Sequence, residues 1–279
     1  SAAAGAPRPG GAGAPRPAQL TRLGCAADVH YNWECLQRLR AARAEMARGA
    51  AEQGCGQQPG PPEIVVASVL LRAGAPAELA DLAEDVAGPG RVFEVGPELL
   101  EEFCMDVAWG QPVRYAVAWP VPRPARELRP PVLVLDGLVS SQNLGQLVRS
   151  AALLGVRSFV LPRATWNCLN GRACHASGGW LYAADFHLAE PLPAALEELR
   201  ALGLRLYVAE ELFTAPVAPH APRGDRRWAL VVGNEERGVS REAAQLCHER
   251  VCVPQRRGAS LNVAHAAAIC LHELGRHMD

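Results

Sequence analysis

The chain has 279 residues and a mass of 29.8 kDa, room for one large domain or for a small one and a medium one, and two domains is the expectation. Apolar residues make up 49% and charged residues 20%, which allows a packed core and excludes a wholly disordered chain. The formal charge is −1 and all 28 basic residues are arginine, so a Walker P-loop, a Schiff-base enzyme and a Ser-Lys dyad, which each need an ammonium group, are excluded.

Residues 1–27 are rich in Ala, Gly and Pro, contain arginine and no acid, and read as a disordered leader with the composition of an organelle transit peptide. From Asp28 to Glu52, Trp33, Leu36, Leu39 and Met46 recur at roughly helical spacing and predict an amphipathic helix. A Gly/Gln/Pro linker, Gly54 to Pro62, follows. Next come an apolar run at Ile64 to Leu71, a helix near Ala77 to Val86, a strand at Arg91 to Val95 and a helix at Pro97 to Phe103. Residues 28–119 thus form a small α/β module, and the Pro/Arg-rich stretch 120–131 is an interdomain linker.

In residues 132–279 short β-branched runs alternate with helical segments. The strands are expected at Val132 to Asp136, Ser158 to Pro162, Arg205 to Glu210, Trp228 to Gly233 and Arg250 to Pro254. The helices are expected at Leu144 to Leu154, Gly171 to Leu181, Ala194 to Leu202, Arg241 to Cys247 and Leu261 to His277. Such continuous apolar strands belong in a parallel sheet covered by helices on both faces, with ligands bound beyond the carboxyl ends of the strands.

Nine cysteines, an odd number without a C-x-x-C pair, argue against a metal cluster or a disulfide framework and for reduced, mostly buried thiols of an intracellular protein. HELGRH, His272 to His277, resembles a zinc-protease helix, but its histidines are one residue too far apart. No apolar run approaches the roughly 20 residues of a membrane span. With near-neutral halves, any RNA contact must come from local arginine clusters: Arg123, Arg126 and Arg129; Arg223, Arg226 and Arg227; Arg256 and Arg257.

Three strand ends combine small and polar residues. The first strand is followed by Asn143 at a helix start with Arg149 six residues on, the fourth by Gly233, Asn234, Glu235 and Gly238, and the fifth by Ser260 and Asn262. One at a time these are helix caps, turn glycines and a first-turn acid; their joint placement at three strand ends points to a site.

Asn143 to Gly155 (NLGQLVRSAALLG), Leu230 to Ser240 (LVVGNEERGVS) and Ser260 to Glu273 (SLNVAHAAAICLHE) resemble, in order and spacing, the three motifs of the SpoU-type, TrmH-like RNA ribose 2′-O-methyltransferases of the SPOUT superfamily. The resemblance covers about Pro131 to His277. It implies a C-terminal trefoil knot holding S-adenosylmethionine and a homodimer whose active site draws on both subunits. The catalytic group it implies is Asn143, Arg149, Glu235, Ser260 and Asn262, with Gly233, Val253 and Leu261 holding the cofactor. Asn170 to Tyr182 matches a family region near the active site, which gives Arg172 and Ser177 contacts to RNA, alongside Arg256 and Arg257 in a loop one residue shorter than the family form. Phe93 to Phe103 is weakly similar to a ribosomal-protein-like substrate-binding domain that often precedes the catalytic one. His265 departs from the family pattern and reads as a packed or dimer-facing residue.

The expected function is therefore S-adenosylmethionine-dependent 2′-O-methylation of ribosomal or transfer RNA, without a metal or membrane partner. The alternative is a catalytically silent knotted protein that binds RNA. A Rossmann-type oxidoreductase is disfavoured by the missing glycine fingerprint.

Overall fold

The computed structural model describes residues 27–52, 64–102, 112–118, 128–211, 227–255 and 260–276. The chain divides into two compact units, one made of Ser1–Val121 and Asn170–Ala183, the other of Pro122–Leu169 and Ala184–Asp279. The leader, the Gly54 to Pro62 linker and most of the Pro/Arg stretch lie outside the described residues.

The first unit contains β1 (Ala27–Tyr31), α1 (Trp33–Glu52), β2 (Val65–Arg72), α2 (Ala77–Ala87), β3 (Val92–Val95), α3 (Pro97–Glu102) and β4 (Val113–Ala118). Its sheet runs β1-β4-β2-β3, with β4 antiparallel to both neighbours and β2 parallel to β3. Two expectations are corrected here. Asp28 to Tyr31 is a strand, not the start of the helix: these residues pair along β4, and Asn32 turns the chain with a φ of 91° before α1 begins. The strand at Val113–Ala118 carried no clear signal in the sequence, because Arg114 interrupts its apolar pattern; that arginine is buried in the unit.

Residues 170–183 also pack into this unit. Tyr182 donates its hydroxyl to the Tyr115 hydroxyl at 3.0 Å and lies 2.7 Å from His30 Nδ1, while Asn32 Nδ2 donates to His175 Nδ1 at 3.2 Å. Burial pushes the Tyr115 and Tyr182 hydroxyls well above the ordinary tyrosine pKa, the nearby Cys174 thiol adding to the shift, so both stay protonated as hydrogen-bonding groups. The expected single helix at Gly171 to Leu181 is α6 (Gly171–Ala176), a break at Gly178 and Gly179 with φ of 59° and 79°, and a 3-10 turn (Trp180–Ala183). Gly179 is required, since a Cβ there would lie 2.9 Å from the Cys35 Cα and 2.8 Å from the Arg38 Cβ.

Among the described residues the second unit holds six strands: β5 (Val132–Leu135), β6 (Ser158–Leu161), β7 (Asp185–Leu188), β8 (Arg205–Ala209), β9 (Trp228–Val232) and β10 (Glu249–Val251). Its helices are α4 (Ser141–Leu153), α5 (Arg163–Trp166), α7 (Leu192–Ala201), α8 (Arg241–Leu246) and α9 (Val263–Gly275). All strands are parallel, in the order β10-β8-β9-β5-β6-β7, which bears out the expected α/β class. β7 is an addition: its DFHL run is short and half polar, with Asp185 and His187 alternating with Phe186 and Leu188, and it pairs with β6.

β5, β6 and β9 are buried at every position, and β7, β8 and β10 in part, because helices cover both sides. One face, Val132, Val134, Val160, Leu206, Ala229 and Val231, packs against Leu192, Leu196 and Leu199 of α7 and Ala243 of α8. The other, including Leu133, Leu135, Leu230 and Val232, is buried on the side where α9 packs on β8, β9 and α4. Each of these Leu and Val side chains contributes about 1.5–3 kcal/mol by leaving water. The order of the strands matters for function. From β5 the chain moves outward through β6 and β7, then returns on the other side so that β9 lies against β5; the direction of winding reverses between these two strands.

Candidate active site

At that reversal point two turns meet. β5 and β9 are in register from Val132 opposite Ala229 to Leu135 opposite Val232, so both strands end at the same level. Pairing continues one residue further, Asp136 N donating to Val232 O at 2.8 Å, before the chains diverge as the turns 136–140 and 233–240. Gly137 takes a φ of 75° and Gly238 one of 68°. Gly233 is packed so closely that a Cβ would lie 2.0 Å from the Gly238 carbonyl carbon.

Ser140 caps α4, its hydroxyl accepting from Asn143 N at 3.3 Å, which places the Asn143 side chain at the mouth of the turn. Glu235 reaches across from the β9 turn. Its Oε1 accepts from Asn143 Nδ2 at 3.0 Å and from Ser140 N at 3.2 Å, and its Oε2 accepts from Val139 N at 3.4 Å. Asn262, the N-cap of α9, accepts from Ala264 N at 2.9 Å and donates its Nδ2 to Asn143 Oδ1 at 2.9 Å. A directed chain of hydrogen bonds thus runs from the head of α9 through Asn262 and Asn143 to the Glu235 carboxylate.

Of the five residues expected in the catalytic group, the fold brings Asn143, Glu235 and Asn262 into direct contact. Ser260 is exposed two residues before Asn262. Arg149 is exposed on α4, and six residues on a helix place it about 9 Å along the axis and about 120° around from Asn143. It belongs to a different face of the helix from the amide cluster.

Gly233 is buried where two backbone segments meet, whereas Val253 is half-buried and Leu261 is 40% exposed next to Asn262. Arg172 is exposed in the first unit. Ser177 corrects its expectation: it is buried in that unit, its hydroxyl donating to Cys174 O at 2.7 Å and accepting from Leu181 N at 3.2 Å, so it closes a local turn and has no surface to offer RNA. Arg256 and Arg257 lie outside the described residues. His265 is exposed on α9, not packed.

Three further residues support the cluster. Asp136 Oδ2 accepts from Ser240 N at 2.6 Å, Asn234 Nδ2 donates to Gly137 O at 2.7 Å, and the buried Cys168 thiol donates to Leu138 O at 3.7 Å. Burial, with the Glu235 charge adding to it, raises the Cys168 pKa and keeps the thiol protonated for this contact. Asp136 and Asn234 stand at the strand ends flagged by sequence, but only the cross-strand register shows what they touch. Among the described residues no group of three or more His, Cys, Asp or Glu side chains is placed to hold a metal ion.

A six-stranded parallel sheet with a polar cluster at its winding reversal defines an open α/β domain of the class in which ligands bind at that point. Residues 130–272, just over half of the chain, match the model of the SpoU rRNA methylase family, and the chain belongs to that family. It is 29% identical over 181 residues to an uncharacterized tRNA/rRNA methyltransferase of Archaeoglobus fulgidus, covering 63% of this chain and 76% of that one. It is 32% identical over 147 residues to the 23S rRNA (guanosine(2553)-2′-O)-methyltransferase RlmP of Bacillus subtilis, covering 51% of this chain and 57% of the relative. Over 155 residues it is 32% identical to the 23S rRNA (guanosine-2′-O-)-methyltransferase RlmB of Escherichia coli, covering 53% and 60%. The match therefore spans little more than half the length of the relatives with a named rRNA substrate. In fold the chain is similar to the SpoU methyltransferase AviRb of Streptomyces viridochromogenes, solved in complex with AdoMet, at a TM-score of 0.69 and 21% identity over 94% of this chain and 93% of that one.

Proposed function

We propose that the chain transfers a methyl group from S-adenosylmethionine to a ribose 2′-hydroxyl of ribosomal or transfer RNA. The observation that carries this is the coincidence of the family match with the Glu235–Asn143–Asn262 cluster at the winding reversal. The residues suit the cofactor. Leu261 offers apolar contact next to Asn262, Val253 adds a half-buried apolar side chain two residues after β10, and the carboxylates of the two turns, Asp136 and Glu235, suit a sulfonium cation better than a pyrophosphate. Gly233, Val253 and Leu261 would hold it through backbone and apolar contacts in a knotted C-terminal segment. The crossover that carries the chain from β9 past β8 to β10, with α9 then packing on α4, supports that topology. Bound there, S-adenosylmethionine supplies a methyl group already activated for in-line attack.

A ribose hydroxyl is a weak nucleophile, so placement carries most of the rate, and well-oriented reactants gain about 7–11 kcal/mol. The Glu235–Asn143–Asn262 chain fixes the head of α4 against the head of α9, and Ser260 and Asn262 border the space where the ribose would lie. Arg149 presents a guanidinium whose N–H donors form a rigid planar fork. It grips the phosphate beside the target ribose through its fork and stabilises the oxygen as the hydroxyl proton passes to water. Arg172, with Arg256 and Arg257, contributes further phosphate contacts.

The active form is a homodimer. Val139, Leu153, Leu261 and Ile269, 65%, 62%, 40% and 44% exposed, all belong to α4, α9 or the residues leading into them, and α4 packs on α9. A second copy covering this apolar face would lie over Arg149, which the cluster within one chain leaves apart.

The test is transfer of labelled methyl from S-adenosylmethionine to unmodified total RNA, read as alkali-resistant dinucleotides, beside calorimetric titration of the cofactor. Binding in the micromolar range that disappears in Leu261→Arg, with label in such dinucleotides, is the expected result. Cofactor binding without transfer to any RNA, by a folded dimer, would refute the enzyme and favour the silent RNA-binding protein.

A further inference from the structure

We propose that Asn234 is a positioning residue that sets the place of the Glu235 carboxylate, an assignment that rests on the reading of Glu235 as part of the reaction site. Glu235 has a long side chain, held by contacts of 3.0 to 3.4 Å to Val139 and Ser140 of the opposite turn and to Asn143 at the head of α4. Its position is therefore governed by whatever fixes the separation of the two turns. The shortest links between them are the 2.7 Å bond from Asn234 Nδ2 to Gly137 O and the 2.6 Å bond from Ser240 N to Asp136 Oδ2, one on each side of Glu235 in sequence.

Asn234 uses every polar group it has. Its Oδ1 accepts from Glu236 N at 2.9 Å and Arg237 N at 3.2 Å, and its backbone exchanges two hydrogen bonds with Gly238, at 3.0 and 2.9 Å. The amide thus shapes its own turn with one end and holds the facing turn with the other. Aspartate keeps the acceptor but loses the donor and sets a negative charge against the Gly137 carbonyl; serine is too short to reach it. The Cys168 contact to Leu138 O at 3.7 Å is too weak a link to replace the amide. A turn released at Gly137 would carry Val139 and Ser140 N–H away from Glu235.

Asn234→Asp tests this in the full-length chain, compared with the parent at each pH. At pH 8 turnover should fall about 100-fold, the scale of a 1 Å misplacement. It should recover relative to the parent as pH is lowered towards 5, because the introduced carboxyl, once protonated, can donate to Gly137 O. The Ser140 amide, protected by Glu235, should exchange its hydrogen at least about tenfold faster at pH 8 in the variant and return towards the parent at low pH. Parent-like Ser140 protection in Asn234→Asp at pH 8 would overturn the assignment, as would a loss of turnover of the same size at every pH. If the parent itself methylates no RNA, the proposed function fails and Ser140 exchange alone decides the role of Asn234. Should Asn234→Asp not fold, Asn234→Ser gives the same exchange measurement, with parent-like protection again the refuting result.

Discussion

Exchanging the amide and the carboxylate of the central pair probes the polarity of the site. In Asn143→Asp an oxygen replaces the Nδ2 that now lies 3.0 Å from Glu235 Oε1. Two unit charges at that separation repel by about 1.4 kcal/mol at a dielectric constant of about 80 and by about 5.5 kcal/mol at about 20. The half-buried site lies between these limits. Holding a proton on one carboxyl at pH 7 costs about 4 kcal/mol, which caps the loss, so Asn143→Asp should destabilise the second unit by about 2–4 kcal/mol. Glu235→Gln alone loses the charge-assisted bonds to Ser140 N and Asn143 Nδ2, about 1.5–3 kcal/mol. Combined, the two changes rebuild the pair with reversed polarity, the new amide donating to the new carboxylate, which still accepts from Asn262. The double variant should therefore be at least about 1.5 kcal/mol more stable than the sum of the single losses. Urea unfolding at pH 7 measures this, and at pH 4 the repulsion in Asn143→Asp should fade. Additive losses within about 0.5 kcal/mol at pH 7 would show that the two side chains do not face each other.

Other consequences follow from single contacts elsewhere in the fold. His248 accepts from Leu206 N at 2.9 Å through Nδ1, and burial, aided by Arg200 and Arg205, lowers its pKa. The unfolded chain then binds the proton first. This contribution is complete above about pH 6.5 and is lost as pH falls through the folded-state pKa, so the melting temperature of His248→Gln should fall less than the parent's between pH 7 and 5. Gly233→Ala drives a methyl group against the Gly238 backbone and should cost about 2–4 kcal/mol with loss of cofactor binding, measured by calorimetry and thermal melting. Tyr182→Phe removes a hydroxyl bonded to both Tyr115 and His30 and should lower the stability of the first unit by about 1–3 kcal/mol in thermal unfolding. Burial and the Glu210 charge push the Cys247 thiol up to about 12, so its alkylation at pH 8 should be about a thousandfold slower than that of an ordinary thiol.

The succession of buried parallel strands and covering helices could be read from residue order, because a strand buried on both faces must be apolar at every position and the helices between them must repeat every three to four residues. The three motif-bearing strand ends could be read for the same reason: polar residues that follow an apolar strand fall on the ligand side of the sheet. β1 and β4 could not, since His30 is held in the first unit by Tyr182, 152 residues away, and Arg114 is a charged residue buried inside its strand. The resemblance of Asn170 to Tyr182 implies that Ser177 touches RNA, yet residues 170–183 leave the sheet that flanks them in sequence and close on Tyr115, His30 and Cys35.

Which polar residues meet was likewise a matter of tertiary structure. Asn143 and Asn262 are 119 residues apart and touch because α4 and α9 pack together; Glu235 and Asn234 reach the turn after β5 because β9 pairs with β5 instead of β6 or β8 alone. Residue order fixes the periodicity that makes each element. A hydrogen bond between two loops depends on strand order and register, which are decided only when the whole sheet is assembled.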